Sequence, residues 1–499
     1  MHRCLLVAEI FSHITYFSTA NTRGGLGGKK EVYRLALTCK ALSEPALDAV
    51  WREISGVTNL IYLLPSDLWH GQMDPQSTSC MTRETVASDW TRFLIHARRV
   101  REFAFSSLND DRLNRSPPWN VNIFDGDTVL RHLHQQCPEV HMLPNLLKLL
   151  WNNEVDHIHI FICPTLRSLS LHSSAGYPGV VQLLETQGQI ITDLDLKLRV
   201  PDTGTDDVVD AVSLAITRMN RLISLQCGFI IRSETLIHLS GLPTLEQIGI
   251  PLVSVDDPTS FSAASSTFFP SLTSLIIIPA QPTLFCSLLN AISSTSLDRI
   301  YWQITDTDPN NIFNALTILA NHGSRHALDS ITISASFDLL VAGLPHGLLT
   351  LQALRPVLAL ANLTVLALSV PWLDLGNDDL EEIARHLPQL MNLNLSSHGL
   401  VPSTRLTLRG LVPLFEHCSL MFLGLVIDVR DPVPDSEFAL PPRPSRRLAR
   451  HARRLRFLDF GNSRIGPTKV EAIATFLSEL VPKLTTLSAW SRGMTELFP

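Results

Sequence analysis

Charge is scarce in this chain. Only 17% of its 499 residues are Asp, Glu, Lys or Arg, against 45% that are hydrophobic. That balance excludes a generally disordered chain, which stays unfolded through high charge and low hydrophobicity. It favours a large buried core, built as several globules or as one elongated repeat array with a small appendage. An excess of positive charge is also missing. With a formal net charge of −7, nothing favours bulk binding to nucleic acid or to an anionic membrane. Paired cysteines are absent as well: Cys4, Cys39, Cys80, Cys137, Cys163, Cys227, Cys286 and Cys418 are scattered without CxxC spacing. Such thiols serve as small apolar residues in a reducing compartment. Residues 1–20 do not make a signal peptide, because Glu9 and His13 interrupt the apolar stretch and no clear cleavage site follows. The best membrane-length run, Pro356 to Leu373, carries Asn362 and Pro371 and reads as a helix end followed by a strand. A soluble cytoplasmic or nuclear protein is expected.

Signatures of catalysis and of cofactors are lacking too. RGGLGGKK, Arg23 to Lys30, has glycines and lysines as a phosphate loop does, but Arg23 stands where that motif needs glycine and Lys30 where it needs Ser or Thr. It reads as a flexible loop. His157 and His159 in DHIHI would share one face of a strand beside Asp156 and offer two nitrogens to a metal. No third ligand stands at a telling spacing, and a half-exposed strand explains the pattern. His132, His134, Cys137 and His141 would join a site only through packing. There is no G-x-S-x-G, no H-E-x-x-H and no carboxylate pair with context. No catalytic residue, cofactor or metal is expected.

What the chain does have is a repeat. LRSLSL at Leu166 recurs as ITDLDL at Ile191, LISLQC at Leu222, LEQIGI at Leu245, LTSLII at Leu272 and LDRIYW at Leu297. It continues as LDSITI at Leu328, LTVLAL at Leu363, LMNLNL near Leu390, LMFLGL at Leu420, LRFLDF at Leu455 and LTTLSA at Leu484. The spacing, ~20 to ~35 residues, suits a strand and a helix per unit. Helical period returns between strands, as in Leu380 to Leu387 and Val470 to Leu480, and Pro388 and Pro482 stand where the helix must stop. One unit leaves an open apolar face that the next closes. The asparagine common after leucine-rich-repeat strands is mostly missing, with His398 near its place in LMNLNLSSH. Strand edges would therefore be satisfied by backbone pairing. The expected fold is an α/β repeat: a small N-terminal three-helix module over 1–69, a linker over 70–90, and an irregular leucine-rich-repeat-like solenoid over 91–499, with a Pro/acidic loop at 428–444.

The N-terminal segment reads CLLVAEIFSHITYF, a glycine-rich insert, then VYRLALTCKALSEPALDAVWREI. Leu5, Leu6, Ile10 and Ile14 repeat as one apolar helix face, Leu35, Cys39 and Leu42 continue it, and Pro45 suits the first turn of another helix before Leu47, Val50 and Trp51. These residues resemble an F-box of the large fungal families. The start is Leu6-Val7-Ala8-Glu9-Ile10, the middle Leu35-Ala36-Leu37-Thr38-Cys39-Lys40, the close Leu47-Asp48-Ala49-Val50-Trp51-Arg52, and LIYLLPSDLW from Leu60 to Trp69 is similar to the segment that follows the motif. The chain departs from the pattern in lacking the early proline, with Val7 and Ala8 in its place, and in the long insert Asn21 to Lys30. The resemblance implies a substrate-recognition subunit of an SCF-type cullin–RING ubiquitin ligase. It would dock the adaptor subunit, and through it a cullin, by Leu5, Leu6, Ile10, Ile14, Leu35 and Trp51. The repeats would hold a protein substrate, and catalysis would come from proximity alone. A non-catalytic repeat scaffold, whose F-box-like segment only caps the solenoid, is the alternative.

Several segments interrupt the pattern: His70 to Val86, Ser106 to Gly126, Val200 to Asp210, and Asp428 to Pro444, with Asp428, Asp431, Asp435 and Glu437 among prolines. An arginine run follows, and on a helix Arg446, Arg450 and Arg453 share one side while Leu448, Ala452 and Leu455 form the other. The run reads as a solvated face or as a cationic reader of acidic segments. Arg446, Arg450, Arg453 and Trp302 are the candidate substrate-binding residues, with Tyr301, Trp372 and Trp490 as further aromatics. The substrate itself is not legible.

Overall fold

A computed structural model describes residues 10–11, 13–15, 26–56, 58–68, 83–106, 133–137, 139, 141–152, 155–173, 177–198, 205–252, 268–306, 308–336, 339, 347–370, 372–395, 405–429, 445–461, 463–465 and 470–488. The chain divides into two compact units, Met1–Leu222 and Ile223–Pro499. Leu5 and Leu6, and most of the 428–444 segment, lie outside the described residues.

In the first unit residues 10–11 and 13–15 are helical, and two helices follow, α1 (Leu26–Ala36) and α2 (Lys40–Trp51). Five strands follow: β1 (Glu53–Ser55), β2 (Glu102–Ser106), β3 (Lys148–Asn152), β4 (Ser168–Ser173) and β5 (Asp193–Leu198). They pair in parallel in chain order. Helices α3 (Thr91–Ala97), α4 (Tyr177–Gln187) and α5 (Thr205–Ile216) lie between or after them. The parallel ladder thus begins at Glu53, directly after α2. Gly56 closes β1 with a φ of 71°, a left-handed conformation that glycine adopts without a Cβ clash, while its N–H donates to Ala104 O at 2.7 Å.

In the second unit the strands are β6 (Ser224–Cys227), β7 (Gln247–Leu252), β8 (Ser274–Ala280), β9 (Arg299–Ile304), β10 (Ser330–Ala335), β11 (Val365–Ser369), β12 (Asn392–Leu395), β13 (Phe422–Leu425), β14 (Asp428–Val429), β15 (Phe457–Asp459), β16 (Arg464–Ile465) and β17 (Thr486–Ser488). From β6 to β13, then β15 and β17, each pairs in parallel with the next, and β14 pairs with β16. The longer intervening helices are α6 (Ser233–Ser240), α7 (Pro282–Ala291), α8 (Pro309–Asn321), α9 (Asn377–His386), α10 (Leu411–His417), α11 (Arg446–Ala452) and α12 (Val470–Leu480). This order of strand, helix and parallel strand is a leucine-rich-repeat-like α/β solenoid, as the motif spacing predicts.

Each unit is held by a leucine ahead of the strand and alternate residues within it. Leu166, Leu169 and Leu171 are fully buried in β4's unit, and Leu328, Ile331 and Ile333 in that of β10. Register lines up the middle member of each set, so that Leu225, Ile248, Leu275, Ile300, Ile331, Leu366, Leu393, Leu423 and Leu458 form one row. Burying such a side chain contributes about 1.5–3 kcal/mol. Leu487 extends the row in β17 but is 54% exposed.

A recurring backbone device replaces the asparagine ladder. The carbonyl just before one strand accepts two consecutive amides from the next repeat. Arg52 O takes Arg101 N and Glu102 N at 2.8 and 2.9 Å, and Asp298 O takes Asp329 N and Ser330 N at 2.8 and 3.0 Å. The same pattern recurs at Leu147, Glu246, Thr364 and Met421. One acceptor with two lone pairs satisfies two donors that would otherwise be orphaned where the chain enters the sheet. Pro282 and Pro309 open α7 and α8 at their first turns, where a missing N–H costs nothing.

Candidate functional site

The N-terminal helices are built round a small closed core. Phe11, Val32, Ala36, Leu42 and Ala46 are buried together, with Cys39, Leu47, Ala49 and Val50 packed partly against them. Val32 and Ala36 stand one turn apart on α1, so Tyr33, Leu35 and Leu37 turn away and are exposed. Phe11 and Thr15 face inward in the same way, and the Thr15 hydroxyl donates to Phe11 O at 3.0 Å. Ile10 and Ile14 therefore lie outward, 43% and 42% exposed, as is Leu35 at 38%. A core that already closes without them leaves these side chains as surplus apolar surface.

The glycine-rich insert is not simply a loop. Leu26 to Lys30 form the first turn of α1, and the Lys29 ammonium donates to Glu53 O at 2.7 Å. Glycine is a poor helix former, yet Gly28 lies buried within this turn. Pro45 also departs from expectation. It sits inside α2, which starts earlier, at Lys40 after an extended Cys39.

Helix α2 is tied to the first repeat by its polar face and by its end. The Arg99 guanidinium, just past α3, donates to Glu44 Oε2 at 2.5 Å and to Asp48 Oδ1. Trp51 closes the helix with its ring 4.6 Å from that of His96 on α3. Burial, followed by the charges of Arg99 and Arg92, holds the His96 imidazole below its ordinary pKa. Trp51 is thus half-buried inside the unit, whereas Ile10, Ile14 and Leu35 face out. The stretch expected as a linker is anchored at its end: Arg83 bridges Asp67 at 2.9 Å and Asp89 at 2.8 Å, and Trp90 is buried.

In the second unit, α11 carries the arginine run. Ser445 caps it, its hydroxyl accepting from Leu448 N at 3.0 Å, and Leu448 and Ala452 are buried. Arg446, Arg447, Arg450, Arg453 and Arg454 are exposed. Among the described residues none of the five forms an ion pair. His451 Nδ1 lies 3.1 Å from Phe415 O of α10. Burial lowers the pKa of this imidazole, the bond to Phe415 O opposes that, and the charges of Arg450, Arg454 and Arg447 add to the lowering.

Trp302 is a core residue, not a surface one. It follows Ile300 by two along β9, points the same way, is 1% exposed, and stacks on Phe285 with centroids 4.4 Å apart. Trp372 is buried as well, while Tyr301 turns to the other face and bonds the Ser334 hydroxyl at 2.9 Å. Trp490 lies outside the described residues. His157 and His159 are not on a strand: Val155–Phe161 is a 3-10 helix. His159 Nε2 meets His134 Nε2 at 3.4 Å. Among the described residues no group of three or more His, Cys, Asp or Glu is placed to hold a metal ion, and no helix is long and apolar enough to cross a membrane.

No family model and no curated protein matches the chain. Solved structures do. The yeast Rad7–Elc1 complex matches at 14% identity and a TM-score of 0.38, over 76% of this chain and 85% of that one. A leucine-rich-repeat protein of Leptospira interrogans matches at 14% identity and 0.30, over 70% and 91%. The TLR13–ssRNA13 complex matches at 14% and 0.37, over 79% of this chain and 53% of that one. The assignment of the repeats rests on the strand register and the buried leucines themselves.

Proposed function

We propose that the chain is the substrate-recognition subunit of an SCF-type cullin–RING ubiquitin ligase. Its N-terminal helices dock the adaptor subunit and its repeats hold a protein substrate, with no catalytic residue of its own. The observation that supports this is the outward set Ile10, Ile14 and Leu35, with Tyr33 and Leu37, on helices whose core is closed without them. A specific interface buries on the order of 800 Å² per partner, a demand that a few helices with surplus apolar side chains can meet. The F-box-like motifs at Leu6 to Ile10, Leu35 to Lys40 and Leu47 to Arg52 point to the same partner. Proximity then does the work, by raising the effective concentration of a substrate lysine beside the charged conjugating enzyme.

A second reading has its own observation. The Arg99 bridge to Glu44 and Asp48, with Trp51 against His96, ties α2 to the first repeat as a capping element would be tied. In that reading the protein is a repeat scaffold for protein interactions and binds no adaptor. Co-purification with the adaptor subunit separates the two. Stoichiometric capture by the parent, lost in Ile10→Asp/Ile14→Asp while the thermal unfolding of the repeats is unchanged, supports the receptor. A well-folded parent that captures no adaptor sinks it and leaves the scaffold.

A further inference from the structure

From five guanidiniums that form no ion pair among the described residues, those of Arg446, Arg447 and Arg450 on α11 and of Arg453 and Arg454 just past its end, we infer that α11 and its C-terminal end are a docking surface for an extended acidic or phosphorylated protein segment with its anionic groups on alternate residues. This rests on the reading of the repeats as a protein-binding surface, and it names the chemistry of what binds.

Among the described residues no acidic side chain pairs with these arginines. Helix α10, which packs against α11, contributes Glu416, and it pairs with none of the five. Elsewhere arginines do find partners: Arg385 pairs with Glu381 on α9, and Arg405 with Asp374 at 3.0 Å. The half-buried His451 imidazole is held below its ordinary pKa by burial first, and the charges of Arg450, Arg454 and Arg447 add to that.

The residue type narrows the ligand. All five cations are arginine and none is lysine, which suits fork-shaped recognition of carboxylate or phosphate oxygens over a mere point charge. Spacing narrows it further. Arg446, Arg450 and Arg453 form one row, and at 1.5 Å per residue their steps along the axis are about 6 and about 4.5 Å. In an extended segment alternate residues on one face are about 6.6 Å apart, a step that long arginine side chains can follow. The row is only about 10 Å long, which matches two or three anionic groups and falls short of the run of phosphates that a duplex presents. A chain of net charge −7 is also poorly suited to nucleic acid.

The test uses the full chain and a fluorescein-labelled peptide with phosphoserine at three alternate positions, read by fluorescence anisotropy. A peptide with the same three phosphoserines placed consecutively is the register control, and a short DNA duplex is the polyanion control. The parent should bind the alternating peptide at least tenfold more tightly than the consecutive one. Arg446→Ala/Arg450→Ala/Arg453→Ala should lose at least tenfold, and Arg385→Ala, whose arginine is already paired, should lose nothing. Adaptor capture and thermal unfolding, measured on the same triple variant, should be unchanged, so that failure here is distinct from failure of the ligase reading. The inference is overturned if the parent binds no peptide, as it would if Asp431, Asp435 and Glu437 of its own chain neutralise the row. Equal binding by the triple variant, equal binding of the two peptides, or DNA competing as well as peptide overturns it equally.

Discussion

The N-terminal helices and α11 present opposite kinds of surface. The first exposes Ile10, Ile14 and Leu35 over a core that does not need them; the second exposes arginines over a core, Leu448 and Ala452, that does not need them either. Apolar surface draws a partner by release of water, without direction and with little sensitivity to salt. Guanidiniums draw one by charge and geometry, screened over about 10 Å at 0.1 M salt. Two surfaces so different would sort partners independently, and each can be altered without unfolding the other.

The largest effect separates both surfaces from what lies beneath them. Trp302→Ala should destabilise the second unit by about 3–5 kcal/mol, the usual cost of emptying a buried tryptophan site, because its ring stacks on Phe285 and is 1% exposed. Arg450→Ala should shift stability by no more than about 0.5 kcal/mol. Denaturant unfolding of both variants checks this. A neutral Trp302→Ala would mean that the ring is not packed as the structure places it.

Salt should divide the surfaces next. Raising NaCl to about 0.5 M cuts the Debye length to a few ångströms, so peptide binding at α11 should fall more than tenfold while adaptor capture changes by less than twofold. Adaptor capture that collapses with salt would show the N-terminal docking to be ionic, and the exposed isoleucines would then be incidental.

Those contrasts also show what could be read from sequence. Every leucine motif from Leu166 to Leu484 marks a strand, because a side chain that must be buried in each repeat leaves a periodic trace. The earlier strands escaped that pattern. β2 keeps the same spacing, but as Val100, Phe103 and Phe105, and β3 ends its set on Trp151; all are buried. Aromatic residues fill the leucine positions there, so the physics is preserved while the letters change. Trp302 was legible too: alternation along Arg299–Ile304 puts it on the same side as Ile300, and a preference for aromatics at binding sites obscured that rule. The approach of His134 to His159, and the Arg99 bridge to Glu44 and Asp48, join residues 25 and 51 to 55 positions apart. No local pattern announces such contacts. The exposed face of α1 could have been inferred once Val32 and Ala36 were known to be inside, but the glycines hid where the helix starts.

Arg99 offers a smaller perturbation of the N-terminal side. Its carboxylate partners are mostly exposed, at 69% and 62%, so Arg99→Met should cost about 1 kcal/mol or less after screening. The change should appear locally, as faster amide exchange across α2 with the repeats unaltered. Adaptor capture retained by this variant would favour the receptor reading over a mere cap, since docking would not depend on the tie to the first repeat.

The smallest effect is read at His451. Burial depresses its pKa in the folded protein, and Arg450, Arg454 and Arg447 depress it further. Between that lowered value and the ordinary value near 6.5, the unfolded chain carries the proton and the folded chain does not. Folding stability therefore rises with pH through this window and declines as pH falls below about 6.5, until the folded imidazole itself titrates. Arg450→Ala/Arg454→Ala removes part of the positive field and should move the imidazole pKa upward, followed by NMR titration of the ring protons. The pKa should stay below the ordinary value, because burial is the larger cause and remains in place. No movement would show that the guanidiniums are already neutralised in solution, and α11 would then lose the uncompensated charge that distinguishes it from the N-terminal helices.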